Sequence, residues 1–402
     1  MIGKMERREK MGRHYVIFSA LYLPNLGGVE RFTYNLAKKL LAQGDQVTVV
    51  TSNVQGIQEL ENSEGIEVFR MPCFSLLGGR FPVVKKNGAY RNLEKQLKAI
   101  PCDFVIVNTR YYLHSLFGVK FAQKRGVPCI TIEHGTSHLS IESPLFDRLG
   151  QWFEHFLTSR IRRHCRHFYG VSQNCCRWLT HFGIEPEGTV YNAIDLDQIQ
   201  SYLDHPVIHY RQELKIPEHA KVIAYTGRLV REKGVLSLME AVRRIHENDP
   251  NVFLLIAGDG DLRDEVERGL TDYIFFLGKI DFPHVVSLLG ETDIFCLPTV
   301  YPEGFPTSVL EAAACGCFIV TTDRGGSKEL IRDDSYGRIM EGNAPEEVYQ
   351  NLEEALSDDD YRRGAVEKSY QRLRENFTWD IVSEKVRSIA DQLCQSHESI
   401  KA

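Results

Sequence analysis

The feature that most constrains this chain is an alternation that runs through it twice. From the start, short β-rich runs alternate with helical patterns: HYVIFSA, the amphipathic VERFTYNLAKKLLAQG, QVTVVTS, and later DFVIVN, PCITIEHG and HFYGVS. After YNAID and a polar stretch to about residue 219 the alternation restarts with KVIAYTG, VFLLIAG, YIFFLG, DIFCLPT and CFIVTTD, each followed by a helical pattern. Strands separated by helices pair in parallel, with helices covering both sheet faces. A chain of 402 residues is also too long for one ordinary core. The expected fold class is therefore α/β, two Rossmann-like doubly wound parallel-sheet domains in tandem.

The expected boundaries are 1–190 for the first domain, 191–375 for the second, and 376–402 for a C-terminal helix that packs back on the first, with Trp379 of NFTWD at the bend. Two such domains joined by a linker leave a cleft at the carboxyl ends of their strands. Open α/β sheets bind ligands there, so the informative residues should follow strands.

Composition narrows the setting. No run approaches the roughly 18 apolar residues of a membrane helix, and the start, MIGKMERREKMGRHY, is basic without the apolar stretch of a secretory signal. A cytoplasmic protein is expected. The ten cysteines include an adjacent pair, Cys175 and Cys176, and the Cys315/Cys317 pair, but none has CxxC spacing, so they read as reduced thiols without a metal site. Residues 1–190 carry 25 Lys+Arg against 16 Asp+Glu, and the remainder 23 against 38. A basic half suits an anionic partner such as a phosphorylated acceptor or a membrane surface, although unevenly distributed solvated charge gives the same count. No nucleic-acid partner is expected.

Residues 145–166, LFDRLGQWFEHFLTSRIRRHCR, form an amphipathic stretch with an aromatic and leucine face and a basic end. Core packing of an ordinary helix is the first reading and contact with lipid headgroups the second.

Four motifs carry chemistry. In LPNLGGVE, Gly27 and Gly28 follow the opening strand and precede a helix. Paired glycines let backbone N–H groups approach a phosphate, yet any tight strand-to-helix turn calls for glycine, and the spacing is not GxGxxG. In AYTGRLVREKG, Arg228 and Lys233 lie after the first strand of the second unit, where two cations suit a diphosphate; a solvated loop is the alternative. In YPEGFPTSVLE, the turn leads into a helix with Thr307 and Ser308 as cap candidates, and a helix N-terminus offers N–H groups to an anion. Glu311 fits the capping box SVLE, but Glu303, between Pro302 and Gly304, has no helix to cap and suits sugar hydroxyls. In TIEHG, His134 stands at the carboxyl end of a strand, where a ligand group belongs, although a lone histidine is usually structural. HExxH, GxxxxGK[ST] and GxSxG do not occur. The Asp-x-Asp pattern does, as DGD at 259–261, DLD at 195–197 and DDD at 358–360; the first reads as a turn with Asp261 capping a helix, and the others lie in or near polar connections.

Together GGVE, EHG, YNAID, GRLVREKG, AGDGDL and above all EGFPTSVLEAAACG resemble the retaining family 4 glycosyltransferases of the GT-B fold, over nearly the whole chain. The linker departs from the commoner Asn-Gly-Val-Asp, and Cys317 stands where proline is common; neither change removes a proposed ligand. The resemblance implies a first domain that binds the acceptor and a second that binds a nucleotide-diphosphate sugar. It implies that Glu303 contacts the donor sugar hydroxyls, Glu311 the ribose, and Arg228 and Lys233 the diphosphate. Backbone groups of Gly304, Phe305, Thr307 and Ser308 would line sugar and phosphates, Gly27 and Gly28 would close from the first domain, and His134 would stand near the reacting centre. The catalytic set is then His134, Glu303, Arg228 and Lys233, with no metal and no cofactor beyond the donor substrate.

A leaving phosphate gathers charge that Arg228, Lys233 and the helix start near Ser308 can stabilise without a metal. On this expectation neither glutamate is an obligatory nucleophile, unlike the paired carboxylates of retaining glycosidases. The implied reaction moves a hexosyl unit from a UDP-sugar, or next GDP-mannose, to a glycan or lipid-linked acceptor in cell-surface polysaccharide or glycolipid synthesis, with peripheral contact at the inner membrane face. The acceptor is expected around the loop PCFSLLGGRFPVVKKNGAY. Rivals are a nucleotide-sugar epimerase or hydrolase on the same scaffold, a non-catalytic sugar-nucleotide-binding subunit, and a nicotinamide dehydrogenase, the last disfavoured by the missing fingerprint.

Overall fold

The computed structural model describes residues 12–25, 27–139 and 143–401, so the basic start of the chain lies outside the described residues. The chain forms two compact units, Met1–Asn192 with Trp379–Ala402, and Ala193–Thr378.

Among the described residues the first unit builds a nine-stranded sheet from β1 (His14–Phe18), β2 (Gln46–Asn53), β3 (Leu60–Ser63), β4 (Ile66–Leu76), β5 (Phe81–Val84), β6 (Phe104–Asn108), β7 (Cys129–Glu133), β8 (His167–Gly170) and β9 (Gly188–Thr189). The order is β3-β4-β2-β1-β6-β7-β8-β9, with β5 paired to β4. Every pairing is parallel except β3 with β4 and β4 with β5. β1, β6 and β7 are buried along their whole length, as a sheet covered on both faces requires.

The stretch expected to be an acceptor loop is instead the hairpin β4–β5. Cys73 pairs with Val84 and Leu76 with Phe81, around a turn in which Leu77, Gly78 and Gly79 all adopt positive φ. Proline at 72 and 82 hides these strands from periodicity; both are tolerated where a strand lacks a full ladder of partners.

The second unit holds a six-stranded parallel sheet, β10 (Lys221–Thr226), β11 (Val252–Ala257), β12 (Ile274–Gly278), β13 (Ile294–Leu297), β14 (Phe318–Thr322) and β15 (Arg338–Met340), in the order β12-β11-β10-β13-β14-β15. In this sheet the chain winds outward from β10 one way and from β13 the other, so their carboxyl ends mark the topological switch point where such sheets bind ligands.

Helices Pro345–Ser357 and Asp359–Asn376 complete the second unit, and the last helix, Trp379–Lys401, belongs to the first. Trp379 is buried with its ring 5.3 Å from Phe32, and Lys39 reaches Asp380 at 3.0 Å.

The helix Pro144–Arg162 meets its first expectation only in part: Leu157 and Ile161 sit in the hydrophobic core with Phe153 packed against it. Its buried face is Glu154, Leu157, Thr158 and Ile161. Leu145, Leu149, Trp152 and Phe156, spaced at i, i+4, i+7 and i+11, fall on the opposite side and are 45–69% exposed. The apolar stripe faces outward.

Candidate active site

In the second unit the switch point is where sequence and geometry meet. The loop after β10 carries Arg228 and Lys233, and the loop after β13 carries Glu303. β10 and β13 are hydrogen-bonded neighbours, with Ile223 opposite Ile294 and Ala224 opposite Phe295. Residues 70 positions apart therefore leave the sheet side by side: the Lys233 ammonium forms an ion pair with Oε1 of Glu303. The Val300 N–H donates to the Glu232 carbonyl at 2.7 Å, and the Tyr225 hydroxyl donates to the Arg228 carbonyl at 2.8 Å, so both loops are fixed to each other and to β10.

Gly234 makes this approach feasible. It adopts φ +72°, and a Cβ there would lie 2.2 Å from the Pro298 carbonyl oxygen. Only glycine meets both conditions.

Tyr301, which the sequence reading did not single out, organises the cations. The Arg228 guanidinium lies 4.8 Å from its ring centroid and the Lys233 ammonium 5.8 Å. Burial works to lower the Arg228 pKa, but its hydrogen bond to Tyr301 and the nearby Glu303 charge leave it raised, so the guanidinium is firmly cationic. Lys233 is buried while Arg228 is exposed.

The turn after Glu303 is set from beneath. Phe305 is buried, its ring 5.2 Å from Phe377, and a Cβ on Gly326 would fall within 2.3 Å of that ring. Anchoring the Phe305 side chain in the core fixes the course of this turn. The following helix is Thr307–Ala314, with Pro306 as its N-cap in extended conformation. Two expectations are corrected here. Thr307 and Ser308 are the first two helical residues, not caps, and SVLE is not a capping box, because Ser308 already lies inside the helix. Glu311 is buried within that helix. Likewise, the helix Arg263–Arg268 is capped at Leu262, not at Asp261.

In the first unit, Gly27 is the N-cap of helix Gly28–Ala42. Glu30 turns back on that start and accepts hydrogen bonds from the backbone N–H groups of Gly27 and itself; burial nonetheless raises its pKa. A Cβ on Gly27 would lie 2.3 Å from Glu30 Oε2, whereas one on Gly28 would meet nothing within 4 Å. Gly27 thus makes room for a carboxylate of the chain itself, and Gly28 is the position that leaves open space.

His134 follows β7 and is held by neighbours the sequence did not reveal. Its Nε2 lies 3.0 Å from Asn108 Oδ1, at the end of β6; Asn108 Nδ2 donates to Thr33 Oγ1 at 2.7 Å, and Thr33 donates onward to the Val29 carbonyl at 2.7 Å. Since Thr33 spends its proton on Val29, Asn108 presents its oxygen to the histidine. Nε2 therefore carries the imidazole proton and Nδ1 the lone pair. Burial lowers the His134 pKa to about 3, so the ring is neutral at physiological pH and acts by hydrogen bonding rather than charge.

Beside it lies a buried ionic network. Arg110 bonds Glu133 at 2.9 Å and Glu154 at 2.7 Å, with all three side chains almost wholly buried, and its guanidinium lies 3.7 Å from the Phe182 ring centroid. The other oxygen of Glu133 accepts from the N–H groups of His134 and Gly135 at 3.1 and 3.0 Å, which fixes the turn that presents His134.

Two doubly wound sheets in tandem, with cations and a carboxylate at the switch point of the second, define a GT-B architecture. A solved glycosyltransferase from Rickettsia africae is similar across 96% of this chain and 99% of its own, with a TM-score of 0.74 at 18% identity. The family model described as Glycosyltransferase Family 4 matches residues 26–198, and that described as Glycosyl transferases group 1 matches residues 207–372. The chain belongs to the group 1 glycosyltransferases. It is similar to an uncharacterised glycosyltransferase of Methanocaldococcus jannaschii, 23% identical over 94% of this chain and 98% of the relative. It is also similar to the phosphatidyl-myo-inositol mannosyltransferase of Mycolicibacterium smegmatis, 22% identical over 90% of this chain and 89% of the relative.

Proposed function

We propose that this glycosyltransferase moves a hexosyl unit, with retention of configuration and without a metal, from a UDP-sugar or GDP-mannose to a lipid-linked acceptor at the cytoplasmic face of a membrane. The observation that carries the reading is the Lys233–Glu303 pair, flanked by Arg228 and Tyr301, at the end of β10 and β13. A cation and a carboxylate in contact suit a ligand with a diphosphate at one end and hydroxyls at the other.

On this reading Arg228 and Lys233 hold the diphosphate, Glu303 accepts from the sugar hydroxyls, Glu311 from the ribose, and the Phe305, Thr307 and Ser308 N–H groups and Gly304 line the donor. The bond between the anomeric carbon and the phosphate oxygen breaks with its electron pair passing to the diphosphate. The acceptor hydroxyl attacks the same face and its proton goes to a phosphate oxygen. Gly27 and Gly28 are assigned to donor binding on the resemblance of their GGVE turn to the family's. His134 serves the acceptor as a neutral group.

The membrane part is supported by the outward stripe Leu145, Leu149, Trp152 and Phe156, joined by the exposed hairpin residues Phe74, Leu76 and Leu77. Phe81 of the hairpin touches Phe153 of the helix, with ring centroids 6.0 Å apart, so the two form one surface. Arg80, Lys85 and Lys86 of the hairpin stretch and Arg148, Arg160 and Arg163 of the helix and its C-cap are exposed, with Lys85 over the Phe74 ring and Arg160 over that of Phe156, a composition suited to anionic lipid. The mannosyltransferase relative bears a phosphatidyl-linked acceptor in its name. Among the described residues no helix is long and apolar enough to cross a membrane, so the contact would be peripheral.

The test is turnover of UDP- and GDP-hexoses on vesicles carrying phosphatidylinositol or a polyprenyl-diphosphate glycan, with the product's anomeric configuration read by NMR. A retained product, formed at the same rate with and without added Mg²⁺ or Mn²⁺, is expected. Failure of every UDP- and GDP-sugar to bind removes the proposal, and an inverted product removes its mechanism.

A further inference from the structure

A second cluster in the first unit takes no part in the chemistry above. His138 lies in the turn after β7, His155 on helix Pro144–Arg162, and His181 is the C-cap of helix Gln173–Thr180. One ring nitrogen from each lies within 4.8 Å of the other two. The ring centroids are 5.7 Å apart for His138 and His155, 5.3 Å for His138 and His181, and 5.0 Å for His155 and His181.

The surroundings prepare these rings for a metal. His138 Nδ1 lies 2.5 Å from Glu154 Oε2, while the other oxygen of Glu154 is held by Arg110 at 2.7 Å. A carboxylate on Nδ1 takes the imidazole proton as a hydrogen bond and leaves Nε2 with its lone pair, the outer-shell arrangement of metal-ligating histidines. His181 stacks flat on Trp178, with centroids 4.9 Å apart and planes 4° from parallel, and His155 packs on Phe182 at 4.6 Å.

We propose that His138, His155 and His181 form a three-histidine site for a divalent transition metal of the Zn²⁺ class, with a fourth position open to water. Three imidazoles suit Zn²⁺, Cu²⁺ or Ni²⁺ and not Mg²⁺ or Ca²⁺, which take oxygen ligands. Side-chain rotation at the exposed His155 and His181 lets the three ring nitrogens settle at metal–nitrogen distances of about 2.0–2.1 Å. The metal would clasp three separate elements: the turn that also carries His134, the helix with the outward apolar stripe, and helix Gln173–Thr180.

The experiment uses the full-length protein, stripped with a chelator and titrated with Zn²⁺ against a chromogenic competitor, then with Co²⁺ as a spectroscopic probe. Expected are one equivalent bound, cobalt ligand-field bands without thiolate charge transfer, and a rise in melting temperature of about 5–10 °C at a hundredfold excess over Kd. Mg²⁺ should give no rise. His155→Gln and His181→Gln, each at an exposed position, should weaken binding at least about tenfold without changing the metal-free melting temperature. A thiolate band, no uptake by the wild type, or uptake that both variants leave unchanged overturns the site. None of these readouts depends on transfer activity.

Discussion

Replacing Glu303 by Gln separates the two jobs of the ion pair at the switch point. The Lys233 and Glu303 side chains are 10% and 14% exposed, so each charge depends on the other for its solvation. Removing one member of a fully buried pair costs about 3–5 kcal/mol; with this residual exposure about 2–3 kcal/mol is expected. For a unit of this size that is a fall of about 5–10 °C in melting temperature, read by scanning calorimetry. A diphosphate then supplies the missing negative charge. UDP or GDP should therefore stabilise Glu303→Gln more than the wild type, with a Kd up to about tenfold tighter, because Lys233 no longer has to leave a carboxylate. Transfer should fall by about 10²-fold or more, since the sugar loses its acceptor carboxylate. Isothermal titration with UDP, GDP and their sugars checks both halves. If Glu303→Gln weakens free nucleoside diphosphate as much as the sugar nucleotide, the assignment of Lys233 to phosphate and Glu303 to sugar is wrong.

Arg110→Leu leaves Glu133 and Glu154 buried without their cation and should cost about 3–5 kcal/mol in chemical denaturation; a loss under about 1 kcal/mol would mean the network is solvated. His114, wholly buried with its Nε2 2.8 Å from the Val50 carbonyl, has its pKa lowered to about 4 by burial. Its folded pKa lies below the unfolded value, so its contribution is complete above pH ~6.5 and is lost as pH falls toward 4, about 3 kcal/mol in all. His114→Gln should flatten that part of the stability–pH curve. Trp152→Ser with Phe156→Ser should lower partitioning onto anionic vesicles about 100-fold in a flotation assay, with transfer to a water-soluble acceptor unchanged. Equal partitioning would remove the membrane surface from the proposal.

What was legible in the sequence follows from how each feature is encoded. β10, β11, β13 and β14 are unbroken apolar runs bounded by glycine, proline or polar residues, and a buried parallel strand has no other appearance. Glu303, Arg228 and Lys233 stood out because they follow such runs. That β13 lies against β10 was not legible, since strand order is a property of the whole sheet, and with it Tyr301 stayed hidden. The Arg110 network escaped for a similar reason: its partners are 23 and 44 residues away and look like ordinary charged positions. Hairpin β4–β5 was lost to its own prolines, and β9 and β15 are only two and three residues long.

Helix Pro144–Arg162 marks the limit of periodicity more sharply. An amphipathic pattern states that a helix has an apolar side and does not state where that side points. Here the choice is made by Glu154. Its carboxylate bonds both Arg110 and His138, and Arg110 is enclosed by Phe182 and Glu133. Turning the apolar stripe inward would carry Glu154 to solvent and leave the buried Arg110 with Glu133 as the remaining one of these two carboxylates, which costs several kcal/mol. Leaving four large side chains in water costs about 1.5–3 kcal/mol each, a comparable or larger sum that the protein alone does not recover. On the proposed membrane contact, lipid over the stripe offsets that cost, which would make the buried charge and the exposed tryptophan two halves of one arrangement.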